Sequence, residues 1–249
     1  MKYGICPLSI VPLRLGSSDK SELVSQVLYG ELFKVLEVQK KWSKIRLYND
    51  NYEGWIDNKQ YQFITKEEFE TLKSLPEKYS SDLVDFVSTR DKQLLSIPLG
   101  SSIQNSNFLK HIFEGRCTSE KQPKKNLTET ALTYLNSPYL WGGKTPFGID
   151  CSGFSQMVYK VNGYSLLRDA SQQATQGEVL SFIEESEPGD LAFFDNNEGV
   201  IIHVGIILAD NYIIHAHGCV RVDRLDHTGI FNVDTKVYTH KLRVIKKII

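Results

Sequence analysis

The sequence lacks the features that mark nucleic-acid-binding and membrane-spanning proteins. Its 29 basic and 30 acidic side chains leave a formal net charge of −1, so no charge excess points to nucleic acid or to an anionic membrane surface. The one basic cluster, "KQPKK" at 121–125, is typical of a solvated linker. No hydrophobic run reaches the length of a transmembrane helix. We therefore expect neither a nucleic-acid partner nor a membrane partner.

Cysteine is also scarce, and its spacing argues against two common uses. The four cysteines among 249 residues include no Cys-x-x-Cys pair and are too few for a disulfide framework. They are Cys6, Cys117, Cys151 and Cys219. We expect reduced thiols, of which at most one takes part in chemistry, and we expect no cofactor and no metal.

The N-terminal segment lacks the pattern of a secretory leader. "MKYGICPLSIVPLRLG" has one lysine before its apolar run, which Pro7 and Pro12 interrupt, and no Ala-x-Ala-like site follows. This pattern is typical of a strand that enters a domain. We expect a cytoplasmic protein, or a periplasmic or secreted one if a leader has been removed.

Three sections follow one another along the chain. Residues 1–65 alternate apolar and polar side chains between tight turns, which indicates a small β-barrel. Residues 66–120 are mixed: a short helix at 66–75 precedes strands that complete the barrel or bridge to the next domain. Residues 121–249 place helices before a run of antiparallel strands, so the fold class is α+β.

Two helices are predicted at the beginning of the third section. The first starts near Asn126, a plausible N-cap with Glu129 three residues later. The second begins at Cys151, carries apolar side chains at helical spacing and stops at Gly163. The segment before it, "YLWGGKTPFGID", is rich in turn-forming residues and could present Cys151 at the base of a cleft.

A cysteine in this position is a candidate nucleophile. The N-terminus of a helix offers unpaired N–H groups and the positive end of the dipole, and both favour the thiolate of Cys151. Such a cysteine needs a base that a third group orients. His203 opens the strand "HVGIIL", while His215 and His217 share one face of the next strand, "IIHAHG". Periodicity alone does not choose between those two.

The sequence favours no chemical role for the other three histidines and argues against a zinc site. Three histidines in polar contexts are expected at the surface: His111, His227 and His240. A zinc site built from Cys151 and two histidines lacks the short ligand spacings of structural zinc sites.

The pattern resembles the NlpC family of papain-like bacterial cell-wall cysteine peptidases. The resemblance is carried by "PYLWGGKTPFGIDCSGFSQMVY", "RDASQQA", "EPGDLAFF", "HVGIIL" and "IIHAHG", in the family's order, over about residues 126–249. It implies a papain-like catalytic domain, with helices packed on an antiparallel sheet over 121–249. It also implies Cys151 as nucleophile, His203 as base, His215 as the residue that orients the base, and Tyr139 as an oxyanion donor. His217 departs from the family's usual small residue.

The N-terminal section resembles the bacterial SH3-like domain that often precedes this catalytic domain, through "SELVSQVLYGE" and "DNYEGWI". Together the two resemblances imply a γ-D-glutamyl-L-diamino acid endopeptidase, which cuts L-Ala-γ-D-Glu-diamino acid peptides when L-Ala has a free amine. Asp150 is then the first candidate to bind that amine. Glu22 and Tyr52 would close the same pocket from the SH3-like domain, with Glu53 as a rival carboxylate.

Further substrate contacts follow from the same resemblance. Ser152 and Ser171 could hydrogen-bond the D-Glu moiety, and Trp141 could form a wall of the cleft. Arg168 and Asp169 are expected to form a structural ion pair with each other. No partner other than small peptidoglycan-derived peptides is implied.

Three alternatives remain open from the sequence. One is a secreted autolysin that acts on intact cell wall. The second is a papain-like acyltransferase or amidase that acts on another amide, and the third is a binding protein without catalytic activity.

Overall fold

Seven antiparallel strands within residues 2–64 form the first sheet. The computed structural model describes residues 2–249 and orders this sheet β3-β2-β6-β5-β4-β1-β7. Its strands are β1 (Lys2–Ile5), β2 (Ile10–Arg14), β3 (Leu23–Leu28), β4 (Leu32–Val38), β5 (Trp42–Leu47), β6 (Glu53–Asp57) and β7 (Gln62–Ile64). Alternate side chains of these strands, such as Val11 and Leu13, are fully buried in one core, as the period-two pattern predicts.

The section from 66 to 124 packs on this sheet without adding a strand to it. Helix α1 (Lys66–Lys73) has a capping box between Thr65 and Glu68, and its Phe69 ring stacks on Tyr3 of β1 at 4.3 Å. The strands β8 (Lys78–Ser80), β9 (Val84–Thr89), β10 (Leu94–Pro98), β11 (His111–Phe113) and β12 (Cys117–Ser119) form two separate small sheets, β10-β9-β11 and β12-β8.

The C-terminal section places short helices before a second seven-stranded sheet. The helices and the hairpin between them are α2 (Lys125–Thr133), β13 (Lys144–Thr145), β14 (Gly148–Ile149), α3 (Cys151–Val161) and α4 (Ala170–Gln173). The strands are β15 (Glu178–Leu180), β16 (Leu191–Asp195), β17 (Ile201–Ile207), β18 (Tyr212–His217), β19 (Cys219–Leu225), β20 (Gly229–Asn232) and β21 (Val237–Lys247). The helices before antiparallel strands confirm the α+β class. Because β20 pairs with both β19 and β21, six of these strands close into a barrel.

Helix α3 is the central element of this section. Asp150 is its N-cap and accepts a hydrogen bond from the Gly153 N–H at 2.6 Å, and the chain leaves the helix at Gly163, whose φ is +81°. All eleven residues of α3 are buried, and the helix packs against β17 and β18. The predicted start and stop of this helix are therefore confirmed.

The predicted cap of the preceding helix is wrong. Helix α2 begins at Lys125 after Lys124, and no side chain caps it. Asn126 lies inside the first turn, where its side chain is past the position from which a cap acts.

Buried polar contacts join the first sheet to α3. Gln156 donates to Asp50 at 2.9 Å, and the Lys160 ammonium lies 2.6 Å from Glu31. Because all four of these side chains are buried, the two halves of the chain are held in one orientation. No helix in residues 2–249 is both long and apolar enough to cross a bilayer.

Candidate active site

Cys151 lies at the first position of α3 and is only 6% exposed. The N–H groups of Ser152 and Val204 and the guanidinium of Arg168 favour its thiolate, but burial and the Asp150 carboxylate outweigh them and raise the pKa of Cys151 to about 12. The expected effect of the helix start is therefore present, but it does not by itself make Cys151 a thiolate. A base has to remove this proton.

The structure brings two of the predicted histidines together. His203 Nε2 lies 2.8 Å from His215 Nδ1, and both rings are buried. Val204, whose N–H contacts the Cys151 sulfur, directly follows His203 on β17. His217 is exposed, with its ring centroid 6.1 Å from that of His215. The choice that periodicity left open thus falls on His215 as the hydrogen-bond partner.

Asp223 extends this pair, and sequence reasoning missed it. Its carboxylate Oδ2 lies 3.0 Å from His215 Nε2, and Arg221 donates to the same oxygen at 2.7 Å. A signal was present in the sequence. A turn at Gly218 sets His215 opposite Arg221 in the hairpin, which places Asp223 on the same face two residues further along.

Two histidines expected at the surface are half-buried and contact other aromatic side chains. His240 is half-buried, and its ring stacks on His203 with centroids 4.1 Å apart and planes inclined by 21°. His111 is also half-buried, with Nδ1 3.0 Å from the Tyr29 hydroxyl. His227 is exposed, as expected. His240 was misassigned because its partner lies more than thirty residues earlier in the chain, on the other side of β16.

The histidine cluster fits a proton relay better than a metal site. Nitrogen atoms of His203, His215 and His240 lie within 4.8 Å of one another. However, the in-plane lone pairs of the stacked His203 and His240 rings do not converge on one point. The facing nitrogens of His203 and His215 already share a hydrogen bond.

A cleft of about 460 Å³ lies beside Cys151, and both halves of the chain form it. Cys151 and Asp169 contribute to its wall. Six residues expected at the substrate site also line it: Glu22, Tyr52, Trp141, Asp150, Ser152 and Ser171. The Trp141 indole N–H donates to Glu22 Oε1 at 2.7 Å. A ring from the C-terminal section and a carboxylate next to β3 of the first sheet thus form one continuous wall.

Asp150 lines this cleft, but its carboxylate is already engaged. Arg168 contacts both oxygens, at 3.0 and 2.6 Å. The Gly153 N–H bonds Oδ1 and the Gly142 N–H bonds Oδ2, at 2.6 and 2.9 Å. Ser152 accepts from the same guanidinium at 2.9 Å. The structure therefore corrects one expectation, because Arg168 pairs with Asp150 instead of Asp169. The assignment of Asp150 to a substrate amine stays a prediction.

Two other carboxylates are better placed to face a ligand. Asp169 accepts a hydrogen bond from the Tyr52 hydroxyl at 3.1 Å, and burial raises its pKa. Glu22 is exposed and also lines the cleft. Glu53, the rival candidate, lies outside the lining of the cleft and instead pairs with Lys44 at 2.8 Å.

Tyr139 lies close enough to Cys151 for the charge of a thiolate there to affect the pKa of its hydroxyl. Burial raises the pKa of Tyr139 to about 12, and the negative charge that Cys151 carries as a thiolate contributes to the shift. The hydroxyl therefore remains a proton donor at neutral pH. Together with the Cys151 N–H, which has no partner within the helix, it can supply hydrogen bonds to an oxyanion.

The neutral histidines predict how stability depends on pH. Burial lowers the pKa of His203 and His215 and lowers that of His240 to about 4, against about 6.5 in an unfolded chain. Below pH 6.5 the unfolded state binds more protons, so the free energy of unfolding should fall as pH falls. We expect the urea midpoint to drop between pH 7 and 5, and His240→Phe to make that drop shallower.

The control for this prediction is His227→Phe, because His227 is exposed. That variant should show the pH dependence of the unchanged protein. An identical slope for the His240→Phe variant would contradict the prediction.

A buried thiol at a helix N-terminus beside a hydrogen-bonded histidine pair is the arrangement of a cysteine peptidase. Residues 136–240 match the NlpC/P60 family, and residues 13–60 match the bacterial dipeptidyl-peptidase Sh3 domain. The chain is a cysteine peptidase with an NlpC/P60 domain preceded by a bacterial SH3 domain, which confirms the resemblance found in the sequence.

Several known proteins are similar to most of this chain. The chain is 28% identical over 226 residues to the gamma-D-glutamyl-L-lysine dipeptidyl-peptidase of Bacillus subtilis (strain 168), covering 82% of this chain and 75% of that protein. It is 26% identical to dipeptidyl-peptidase 6 of Lysinibacillus sphaericus, covering 79% and 80%. The crystal structure of an NlpC/P60 family protein from Bacillus cereus superposes with a TM-score of 0.79 over 99% of both chains, at 17% identity, and shares the fold.

Proposed function

We propose that this protein hydrolyses the bond between γ-D-glutamate and an L-diamino acid in peptidoglycan stem peptides that begin with a free L-Ala. The observation that carries the proposal is the cleft at Cys151, which Glu22 and Tyr52 of the SH3 domain close on one side. The similarity to the gamma-D-glutamyl-L-lysine dipeptidyl-peptidase of Bacillus subtilis and to dipeptidyl-peptidase 6 of Lysinibacillus sphaericus supports it.

Recognition of a free amine follows from the carboxylates of this cleft. A substrate ammonium can pair with Asp169 and Glu22, and Tyr52 fixes the position of Asp169. Inside a cleft, an ion pair of this kind is selective, because a capped amine would leave the carboxylates desolvated and unmatched. Trp141 holds one oxygen of Glu22 and leaves the other available to a ligand.

The proposed mechanism uses one proton acceptor twice. His203 takes the proton of Cys151, and the sulfur attacks the γ-carbonyl carbon of D-Glu. The Cys151 N–H and the Tyr139 hydroxyl bind the oxyanion, and the His203 imidazolium then protonates the departing amine of the diamino acid. Water, activated by His203, cleaves the thioester and releases L-Ala-γ-D-Glu.

The same geometry favours short substrates. Because the SH3 domain covers the side of the cleft where the N-terminus of the peptide would lie, a long or cross-linked strand would meet the barrel wall. We therefore propose a role in murein turnover or recycling, on peptides already released from the wall. Such peptides would be met in the cytoplasm, which is the location we propose.

Product analysis with L-Ala-γ-D-Glu-diaminopimelate and its N-acetylated form tests the proposal. We expect the kcat/KM of the acetylated peptide to be lower by about 10²-fold or more, since a carboxylate inside the cleft loses its charged partner. Glu22→Gln should narrow this difference mainly by weakening cleavage of the free-amine peptide.

Glu53→Gln is the matched control, because it makes the same chemical change in the same SH3 domain but outside the cleft. It should leave the discrimination unchanged. Equal cleavage of both peptides would refute recognition of a free amine. Faster cleavage of intact sacculi than of the free peptide would favour an autolysin instead.

A further inference from the structure

The His203–His215 pair ends on a buried ion pair that no part of the proposed mechanism has yet used. Asp223 is fully buried, and both of its oxygens are saturated with donors. Oδ2 accepts hydrogen bonds from His215 Nε2 at 3.0 Å and from Arg221 Nε at 2.7 Å. Oδ1 receives Arg221 Nη2 at 2.9 Å and the Val233 N–H at 3.0 Å.

These contacts determine which ring nitrogens of the two histidines carry hydrogen. The hydrogen bonds from His215 and Arg221 hold the pKa of Asp223 well below its usual range, so the carboxylate is ionised and can only accept. His215 must then carry its proton on Nε2. Its Nδ1 is left with a lone pair, because burial keeps this imidazole neutral.

The same logic passes to the next ring. The partner of His215 Nδ1 is His203 Nε2, at 2.8 Å. Since Nδ1 of His215 is an acceptor, Nε2 of His203 must be the donor. A neutral His203 therefore has its free lone pair on Nδ1.

We propose that Asp223, held by Arg221, sets the tautomers of His215 and His203 in series and thereby makes Nδ1 of His203 the atom that takes the thiol proton. Asp223 is a positioning residue, because it acts through His215. The proposal rests on the proposed function only in naming His203 as the base of Cys151.

Asp223→Asn is the variant that separates this role from simple packing. The amide group must replace one oxygen. At the Oδ1 position it would face two fixed donors, the Val233 N–H and Arg221 Nη2. At the Oδ2 position it would face Arg221 Nε and His215, and His215 can answer by moving its proton to Nδ1. His203 would then carry its proton on Nδ1 and could not accept another there.

We expect Asp223→Asn to lower kcat by about 10²- to 10⁴-fold, with KM changed by less than about threefold. The matched control is Asp234→Asn. Asp234 accepts from the same Arg221 at 2.8 Å, but it is largely exposed and does not contact His215. That variant should keep at least about half of the kcat. A kcat for Asp223→Asn equal to that of the control would overturn the proposal.

Nitrogen-15 NMR of the imidazoles tests the tautomers without any substrate. In a Cys151→Ala background, where His203 stays neutral, we expect both rings to show the Nε2–H tautomer. The additional Asp223→Asn change should convert both rings to Nδ1–H. If His215 of the Cys151→Ala protein itself shows Nδ1–H, the proposal fails, even where Asp223→Asn does not fold. The spectrum is also independent of which peptide the enzyme cleaves, so failure of the proposed function would leave this result intact.

Discussion

Replacing Cys151 with alanine is expected to lower kcat by about 10⁴-fold or more while leaving the fold intact. No other thiol can take over the attack, because the remaining cysteines of the chain lie outside the lining of the cleft. Loss of a nucleophile in a nucleophile–base unit costs nearly the whole advantage of covalent catalysis. Turnover of L-Ala-γ-D-Glu-diaminopimelate, followed by chromatography of the products, provides the measurement.

Cys117→Ala is the control for this experiment, since Cys117 is exposed on β12 and lies outside the lining of the cleft. It should retain full turnover, and it also removes the most accessible thiol. In that background, we expect iodoacetamide to inactivate the enzyme in step with the alkylation of Cys151. An active Cys151→Ala enzyme would end the assignment of this residue as nucleophile.

The sequence was most informative where local chemistry decides the structure. Cys151 and Gly163 bounded a helix because helical spacing and the left-handed backbone that ends a helix are local requirements. The strands with His203 and His215 were equally legible, since alternation and a glycine turn are local features. Pairing of adjacent strands predicted a histidine of the second strand near His203, and the structure identifies it as His215.

What the sequence did not reveal depends on contacts between distant segments. The stacking of His240 on His203 arises because β21 and β17 are the two neighbours of β16 in the sheet, an order that the sequence does not show. The pairing of Arg168 with Asp150 required knowing how a loop folds back over the start of α3. In both cases the partner was set by tertiary packing, to which periodicity is blind.

The position of Cys151 at the start of a helix does not by itself determine the protonation of its thiol. The helix start does favour a charged sulfur, through the N–H groups of its first turn. Cys151 is nevertheless buried beside the ionised Asp150, and these two effects raise its pKa. Since the thiol stays protonated at rest, the tautomer of His203 matters more than it would for a preformed ion pair.

The guanidinium of Arg168 connects this site to the SH3 domain. It is 1% exposed and donates to Asp150, to Ser152 and, through Nε, to the Ser25 hydroxyl of β3 at 3.0 Å. The carboxylate that caps α3 is thus held by a cation that also contacts the barrel. Any change at Arg168 should therefore disturb the helix cap and the contact between domains together.

Arg168→Met is accordingly expected to destabilise the protein by about 3–5 kcal/mol, because it leaves the Asp150 carboxylate buried without its cation. Urea unfolding followed by circular dichroism measures the loss. Arg116→Met, which breaks an ion pair with Asp82 at an exposed arginine, should leave the midpoint unchanged. Adding Asp150→Asn to Arg168→Met should recover part of the stability, since it removes the stranded charge and keeps a side chain able to cap α3. If Arg168→Met unfolds at the midpoint of the unchanged protein, the carboxylate has found another partner, and the contribution of this ion pair to the cap of α3 would have to be abandoned.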